Sequence, residues 1–185
     1  QQLFGGSGGG ARKVDGPRMD ELRIQTSTEG APVPRVYGRT RLAGQVIWAA
    51  KFKEVAATTT QSSGGGGRGG KGIGGGGGGG GVAASTTSYS YFARFAVGLC
   101  EGEITRIGRV WADGKVLDMS GVSFRVYRGL ETQAVDPLIE AIEGVGNAPA
   151  FRGLAYVVFE DMALEKFGNR VPQLNFEIFR GLSDV

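Results

Sequence analysis

The sequence predicts a mainly β protein built from antiparallel sheets, with one short α-helix and a long glycine-rich insertion in a β-hairpin. Apolar residues alternate with polar ones through residues 45–55 and again through 87–99, which is typical of half-buried strands. Between these segments, fifteen of the eighteen positions at 64–81 are glycine. Because both flanks are predicted strands, the glycine tract is an insertion at a turn and not a linker between domains.

Three divisions of the chain follow from composition. Residues 1–20 are glycine-rich and polar and predict an extended N-terminal arm. Residues 21–185 predict a β-rich domain that carries the glycine-rich insertion over 56–86. The chain begins with Gln1 and ends at Val185, just past a predicted strand, so we expect a piece of a longer polypeptide.

The strand before the insertion is expected to place Val46, Trp48, Ala50 and Phe52 on one face. In the return strand, Tyr89, Tyr91, Ala93, Phe95, Val97 and Leu99 share a face by the same alternation. At a strict period of two these aromatic side chains are core residues rather than platforms for stacking nucleic-acid bases.

The second half of the sequence predicts several shorter elements. Residues 104–112 form a strand, Asp113-Gly114 is a strong hairpin turn, and residues 115–118 form its short return. A further strand covers 123–128, and the apolar run 155–159 predicts a central strand buried on both faces. Residues 164–167 predict one helical turn, and 174–179 predict a final strand.

One helix is predicted, and it is short. Asp136 is suited to cap its start and Pro137 to occupy its first position. Leu138, Ile139 and Ile142 form one apolar stripe, and Gly144 ends the helix.

Composition narrows the possible chemistry. The chain has no histidine and a single cysteine, which excludes Ser-His-Asp and Cys-His nucleophilic sites, His-containing zinc sites and internal disulfides. Cys100 ends an apolar strand and is predicted to be a small buried hydrophobe. No apolar run reaches the roughly 18 residues of a membrane span. No catalytic, cofactor-binding or metal-ligating residue is predicted, and no cofactor.

The chain carries a net charge of +3. One cluster of basic residues lies near the start and contains Arg12, Lys13 and Arg18. A second cluster follows Pro32 and Pro34 and contains Arg35, Arg39 and Arg41. These clusters indicate solvated faces or subunit contacts, with a nucleic-acid surface as the alternative.

Two spacings typical of nucleotide-binding motifs occur in the glycine tract, but each lacks a feature that nucleotide binding requires. Residues 65–71 fit the spacing G-x-x-x-x-G-K, but Gly72 stands where a P-loop needs Ser or Thr for Mg²⁺. A G-x-G-x-x-G match within the tract lacks the surrounding βαβ unit. Arg68-Gly69-Gly70 is a single copy of an RGG-type RNA-binding segment.

Several phrases, in order, carry a resemblance to one family. They are GAPVPRVYG (30–38), LAGQVIW (42–48), YSY (89–91), AVGLCEG (96–102), IGRVWADG (107–114), DPL (136–138), YVVF (156–159) and NRVPQLNF (169–176). Across residues 16–180 the chain resembles the N-terminal hub region of tail-tip and baseplate proteins of long-tailed phages. That group includes tip attachment (host-specificity) proteins and the multidomain baseplate protein of gene transfer agents.

The resemblance implies a structural, non-enzymatic role. Hub proteins of this family are trimers whose β domains resemble tail-tube modules, as open sheets or as a barrel. They close the tail tube, anchor fibres and open for DNA passage. The implied partners are sister subunits, the distal tail protein, the tail tube and fibres, with DNA in transit and the host envelope indirectly. The implied location is the distal end of the tail of a virion.

The glycine tract fits such an assembly. Ordering eighteen residues costs on the order of 20–35 kcal/mol, which a loop almost without side chains cannot recover alone. We therefore expect Arg68, Lys71 and Ile73 to contact a neighbouring subunit or the lumen. Two alternatives remain open: a glycine-rich nucleic-acid-binding module, and the non-catalytic part of a larger cell-wall-degrading enzyme.

Overall fold

The computed structural model describes residues 13–15, 32–62 and 83–181. The chain forms two compact units, one from residues 1–18 with 55–90 and the other from 19–54 with 91–185. Helix α1 covers Pro137–Glu143 and a 3₁₀ turn covers Glu165–Phe167. The strands within the described ranges are β1 (Lys13–Asp15), β2 (Gly38–Ala43), β3 (Gln45–Ala49), β4 (Lys53–Ser62), β5 (Ala83–Glu101), β6 (Arg106–Ala112), β7 (Lys115–Val116), β8 (Ser123–Arg128), β9 (Leu154–Ala163) and β10 (Leu174–Arg180).

The first unit is built around the N-terminal part of β5. Strand β1 pairs with it in parallel, from Lys13 opposite Ser85 to Asp15 opposite Thr87, and β4 is also its neighbour. The Thr58 and Thr87 hydroxyl oxygens lie 3.3 Å apart, and Thr87 is buried. Strand structure thus occurs inside the expected N-terminal arm. It also extends at both ends into the segment 56–86 that we expected to be an insertion.

The second unit contains two sheets. In the first sheet the order is β3-β5-β9-β8, and in the second it is β2-β10-β6-β7, with antiparallel pairing throughout. The predicted antiparallel fold is confirmed. The barrel form is wrong, because the two sheets do not close on each other. They pack face to face through Phe159 and Phe176, whose ring centroids are 6.4 Å apart.

Strands β5 and β9 are buried on both faces. On one face, the Phe95 and Phe159 rings stack at 4.9 Å and are directed toward the second sheet. On the other face, Ala96, Tyr156 and Val158 form a buried cluster with Ile139 of α1. Alternation along a strand makes these faces opposite, so the first sheet lies between α1 and the second sheet. The prediction that β9 is a central buried strand is confirmed, whereas β5 is fully rather than half buried over residues 95–100.

The strand predicted over 45–55 is interrupted. Strand β3 ends at Ala49 and β4 begins at Lys53, and the register of β3 against β5 shifts between Val46 and Trp48. Val46 lines a cleft with Phe95 on one side of the sheet, while Trp48 packs on the Ile139 cluster on the other. The prediction that Val46 and Trp48 share a face is therefore wrong, because a β-bulge inserts one residue between them.

Other local predictions are confirmed. Asp113 (φ 48°) and Gly114 (φ 82°) both adopt positive φ in the turn from β6 to β7, the conformation that a type I′ hairpin requires. Cys100 is buried, and burial raises the pKa of its thiol. The alternating segment 22–26, which predicts a further strand, lies outside the described residues.

A single buried carboxylate sets the start of α1. Asp136 is fully buried, and its Oδ1 accepts hydrogen bonds from the backbone N–H groups of Leu138 (2.8 Å) and Ile139 (3.2 Å). The Arg125 guanidinium donates to both oxygens, at 2.7 and 3.0 Å, and the Tyr127 hydroxyl donates at 2.9 Å. The predicted cap is confirmed, and the same group also ties α1 to β8.

These contacts shift the pKa values of both Asp136 and Tyr127. Burial acts to raise the pKa of Asp136, but the hydrogen bonds from Arg125 and Tyr127 outweigh it, so the pKa lies below its usual value. Burial and the hydrogen bond to Asp136 raise the pKa of Tyr127 to about 12.

The predicted apolar stripe of α1 is only partly right, because Ile139 is buried but Ile142 is 43% exposed.

Replacement of this carboxylate is expected to be costly. Asp136→Ala removes the cap and leaves the Arg125 charge without its main partner, so the free energy of unfolding should fall by about 3–5 kcal/mol. Urea denaturation followed by circular dichroism measures the loss. Asp118→Ala is the matched control, since Asp118 accepts a hydrogen bond from the backbone N–H of Ser120 in an exposed turn. A loss for Asp136→Ala no larger than that of the control would contradict the assignment.

Candidate interaction surface

The outer face of the second sheet concentrates the charge of this unit. Side chains from three adjacent strands, β2, β10 and β6, meet there, on the side of the sheet away from the core. We call this surface the arginine face. Its members are Arg39, Arg41, Arg106, Arg109, Trp111, Glu177 and Phe179.

Among the described residues, Glu177 is the only carboxylate of this face, and it is nearly buried, with 7% of its surface exposed. Its Oε1 accepts from Arg39, at 2.7 Å from Nε and by a second, shorter bond from Nη2. Its Oε2 accepts from the backbone N–H of Arg109 at 3.0 Å and from the Arg109 Nε at 3.4 Å. The carboxylate therefore links the two outer strands of the face across β10.

The other two arginines lie on aromatic rings. The Arg41 Cζ is 4.1 Å from the centre of the Trp111 ring, and the Arg106 Cζ is 3.5 Å from that of Phe179. Each such cation–π contact stabilises an exposed guanidinium by about 0.5–1 kcal/mol. Among the residues with defined positions, neither arginine has a carboxylate within salt-bridge distance, so their hydrogen-bond donors are available to a partner.

A β-bulge makes this arrangement possible. The register between β10 and β6 shifts between Phe176 and Ile178, where Glu177 lies opposite Gly108-Arg109. Without the bulge, Arg106 and Arg109 would point to opposite faces, because they are three residues apart. A Cβ on Gly108 would lie 2.8 Å from a Phe179 ring carbon and closer still to the Glu177 carboxylate. Glycine at this position is what lets Glu177 lie close to the sheet.

The surrounding donors set the charge state of Glu177. The backbone N–H of Arg109 and the guanidinium of Arg39 lower the pKa of its carboxyl to about 2. Glu177 is thus ionised at neutral pH. The face as a whole holds four guanidinium groups against one carboxylate and is strongly positive.

The basic cluster predicted from the sequence includes only part of the arginine face. Of the predicted cluster, Arg39 and Arg41 belong to the arginine face, whereas Arg35 lies 3.9 Å from Glu101 elsewhere. Arg106, Arg109, Glu177 and Phe179 were missed, because only the strand order and the bulge bring them together. The alternation of charged and aromatic residues in β6 and β10 was the available signal.

The other predicted site residues differ in outcome. Arg68, Lys71 and Ile73, the P-loop-like spacing, Arg12 and Arg18 all lie outside the described residues. Lys13 pairs at 3.8 Å with Asp15. Tyr91 and Phe95 are buried, as predicted for core residues.

Other features offer little chemistry. A cleft of about 340 Å³ is lined by Val46, Phe95, Val97 and Leu174 among others, and no lining residue is titratable. Within the ranges 13–15, 32–62 and 83–181, no cluster of three or more Cys, Asp or Glu side chains is arranged to hold a metal ion. No helix in those ranges has the length and apolar character needed to cross a membrane.

Comparison with solved structures finds a strong likeness. A chain in a structure described as "Virion of native gene transfer agent (GTA) particle" is 44% identical in sequence, with a TM-score of 0.62. The match covers 91% of this chain and 31% of that chain, so this chain spans about a third of the virion chain's length. No family model matches the sequence, and no curated protein matches it. The resemblance to a virion protein of the gene-transfer-agent type is confirmed at that level.

The ionisation of Glu177 predicts an acid-dependent stability. Its folded pKa is depressed below the unfolded value of about 4.3, so its contribution is fully present above that pH. The contribution is lost as the pH falls toward about 2. The difference in melting temperature between the natural protein and Glu177→Gln should therefore be constant above about pH 5 and shrink toward pH 2.

Thermal melting from pH 2 to pH 7 measures this difference. Glu103→Gln is the control, since Glu103 is exposed and lies 3.9 Å from Arg128. Parallel curves for the natural protein and Glu177→Gln across the whole range would show that the Arg39 and Arg109 contacts do not depress the pKa of Glu177.

Proposed function

We propose that this chain is a structural, non-enzymatic component of a phage-like virion, within the hub of the tail tip or baseplate. In that position three copies form a ring that closes the tail tube, anchors distal fibres and opens for DNA passage. The observation that carries the proposal is the 44% identity to a chain of a gene transfer agent virion over 91% of this sequence. The ordered phrases between residues 30 and 176 support the hub position within such a particle.

The arginine face fits a part that is held by neighbours. Arginine, tryptophan and other aromatic residues are enriched at the centres of protein interfaces, and this face combines four arginines with Trp111 and Phe179. Its guanidinium groups are positioned in advance by rings and by Glu177, so less side-chain freedom is lost on binding. A surface with this composition is suited to an extended protein contact.

The glycine tract has a place in the same proposal. Residues 64–81 interrupt a strand pair, and ordering them alone would be unfavourable by many kcal/mol. In a cyclic assembly, one loop from each subunit can approach the axis and meet its copies. Arg68, Lys71 and Ile73 would then contact a sister subunit or the lumen.

Location in the particle tests the proposal. An epitope inserted after Gly121 should be tolerated, because this glycine lies in an exposed turn where a Cβ would meet nothing within 4 Å. Antibody-gold labelling of purified particles should then mark one end of the particle, the distal tip of the tail. Particles without the epitope are the control. Gold along the tube, on the capsid or absent from intact labelled particles would overturn the proposal.

Deletion of residues 64–81 should separate assembly from folding. We expect the purified variant to melt at the temperature of the natural protein, because the core lies elsewhere, while particle assembly or gene delivery falls to background. A variant with the tract at full length and Arg68, Lys71 and Ile73 all changed to alanine tests whether the three side chains matter. Normal delivery by the deletion strain would refute a role for the tract.

A further inference from the structure

We infer that the arginine face binds a second copy of this chain, through an acidic segment on the opposite side of the second unit. The inference rests on the proposed function and deepens it by naming the two surfaces that would join neighbouring copies. It depends on charges and positions within one unit, and its test does not require knowledge of where the particle holds the chain.

The acidic segment covers residues 129–151. It contains Glu131, Asp136, Glu140 and Glu143 and no lysine or arginine. Asp136 is buried and satisfied by Arg125, so the other three supply the negative charge. The segment also exposes two apolar side chains, Ile142 at 43% and Val145 at 88%. Carboxylates beside exposed apolar groups match a surface of guanidinium groups beside aromatic rings.

The layers of the fold place these two surfaces on opposite sides. Helix α1 packs on the face of the first sheet that holds Ala96 and Tyr156, whereas the second sheet packs on the face that holds Phe95 and Phe159. The arginine face is the far side of the second sheet. Complementary surfaces on different sides of one molecule join in a head-to-tail contact, which closes into a ring or continues as a filament.

The contacts that Trp111 and Phe179 make with arginines favour a second copy of this chain over nucleic acid as the partner. A guanidinium already lies over each ring, Arg41 on Trp111 and Arg106 on Phe179, and so competes with a base for stacking there. A carboxylate side chain, by contrast, can take the paired donors at the edge of a stacked guanidinium.

Helix α1 supports the same direction of contact. It ends at Glu143 with no basic residue in its last turn, although the C-terminal end of a helix favours a cation. The Trp48 indole donates to the Glu143 carboxylate at 2.8 Å but brings no charge. A guanidinium from a neighbouring copy would supply the missing positive charge.

Charge reversal tests the contact. One variant carries Arg41→Glu and Arg106→Glu, and a second carries Glu131→Lys and Glu140→Lys. Each is expected to self-associate about 100-fold more weakly than the natural protein in analytical ultracentrifugation, because like charges then face each other. When the two variants are mixed, every contact between unlike copies is again complementary, and association should return to near the natural level.

Two controls show whether a loss of self-association is specific to these surfaces and whether the variants are folded. Lys115→Glu with Lys166→Glu reverses two exposed charges away from both surfaces and should leave self-association unchanged. Melting temperatures establish that all variants are folded, and Arg41→Lys with Arg106→Lys replaces the reversal if those arginines prove necessary for folding. The lysine variant keeps the charge but loses paired donation and should weaken association about tenfold.

Several outcomes would overturn the inference. These are a natural protein that stays monomeric at all concentrations, folded variants that fail to associate on mixing, or a loss confined to binding of a double-stranded DNA fragment. The last outcome would make the arginine face a phosphate site. A monomeric protein whose epitope still marks the tail tip would remove this contact and leave the hub proposal standing.

Discussion

Strands β5 and β9 are buried on both faces over residues 95–100 and 155–159, and the positions of the other layers follow from that constraint. Phe95 and Phe159 are buried against the second sheet, while Ala96, Tyr156 and Val158 are buried against α1. A strand pair covered on both sides needs two further layers, since burial of each large apolar side chain stabilises the fold by about 1.5–3 kcal/mol.

Two carboxylates organise those outer layers in the same way. Asp136 joins the start of α1 to β8 through Arg125 and Tyr127, and Glu177 joins β2 to β6 through Arg39 and Arg109. Each is nearly or fully buried and surrounded by donors, which is the condition under which a buried charge is tolerated. The two carboxylates differ in the balance of charge around them. Around Asp136 a single arginine, Arg125, is shared with a second carboxylate, Glu160. Around Glu177 the arginines outnumber the acid and leave a positive surface suited to an acidic partner.

Local signals in the sequence were sufficient for elements that depend on near neighbours. The Asp136-Pro137 start of α1, the Asp113-Gly114 turn and the apolar run of β9 each act within a few residues, and all three occur as predicted. Features that depend on pairing between distant segments were not predictable in this way. The bulge near Trp48 reverses which face that side chain takes, and the bulge beside Gly108 brings Arg106 to the face of Arg109. Periodicity alone assumes an unbroken alternation, so it fails where a strand gains one residue.

The central claim is that the arginine face is open in the isolated protein and covered by protein in the assembled particle. Arginine modification by phenylglyoxal, read residue by residue by mass spectrometry, compares the two states directly. The account predicts that Arg41 and Arg106 are modified in the dilute, monomeric protein and protected in the particle, while Arg35, which lies 3.9 Å from Glu101, reacts similarly in both. Equal modification of Arg41 and Arg106 in the two states would contradict it.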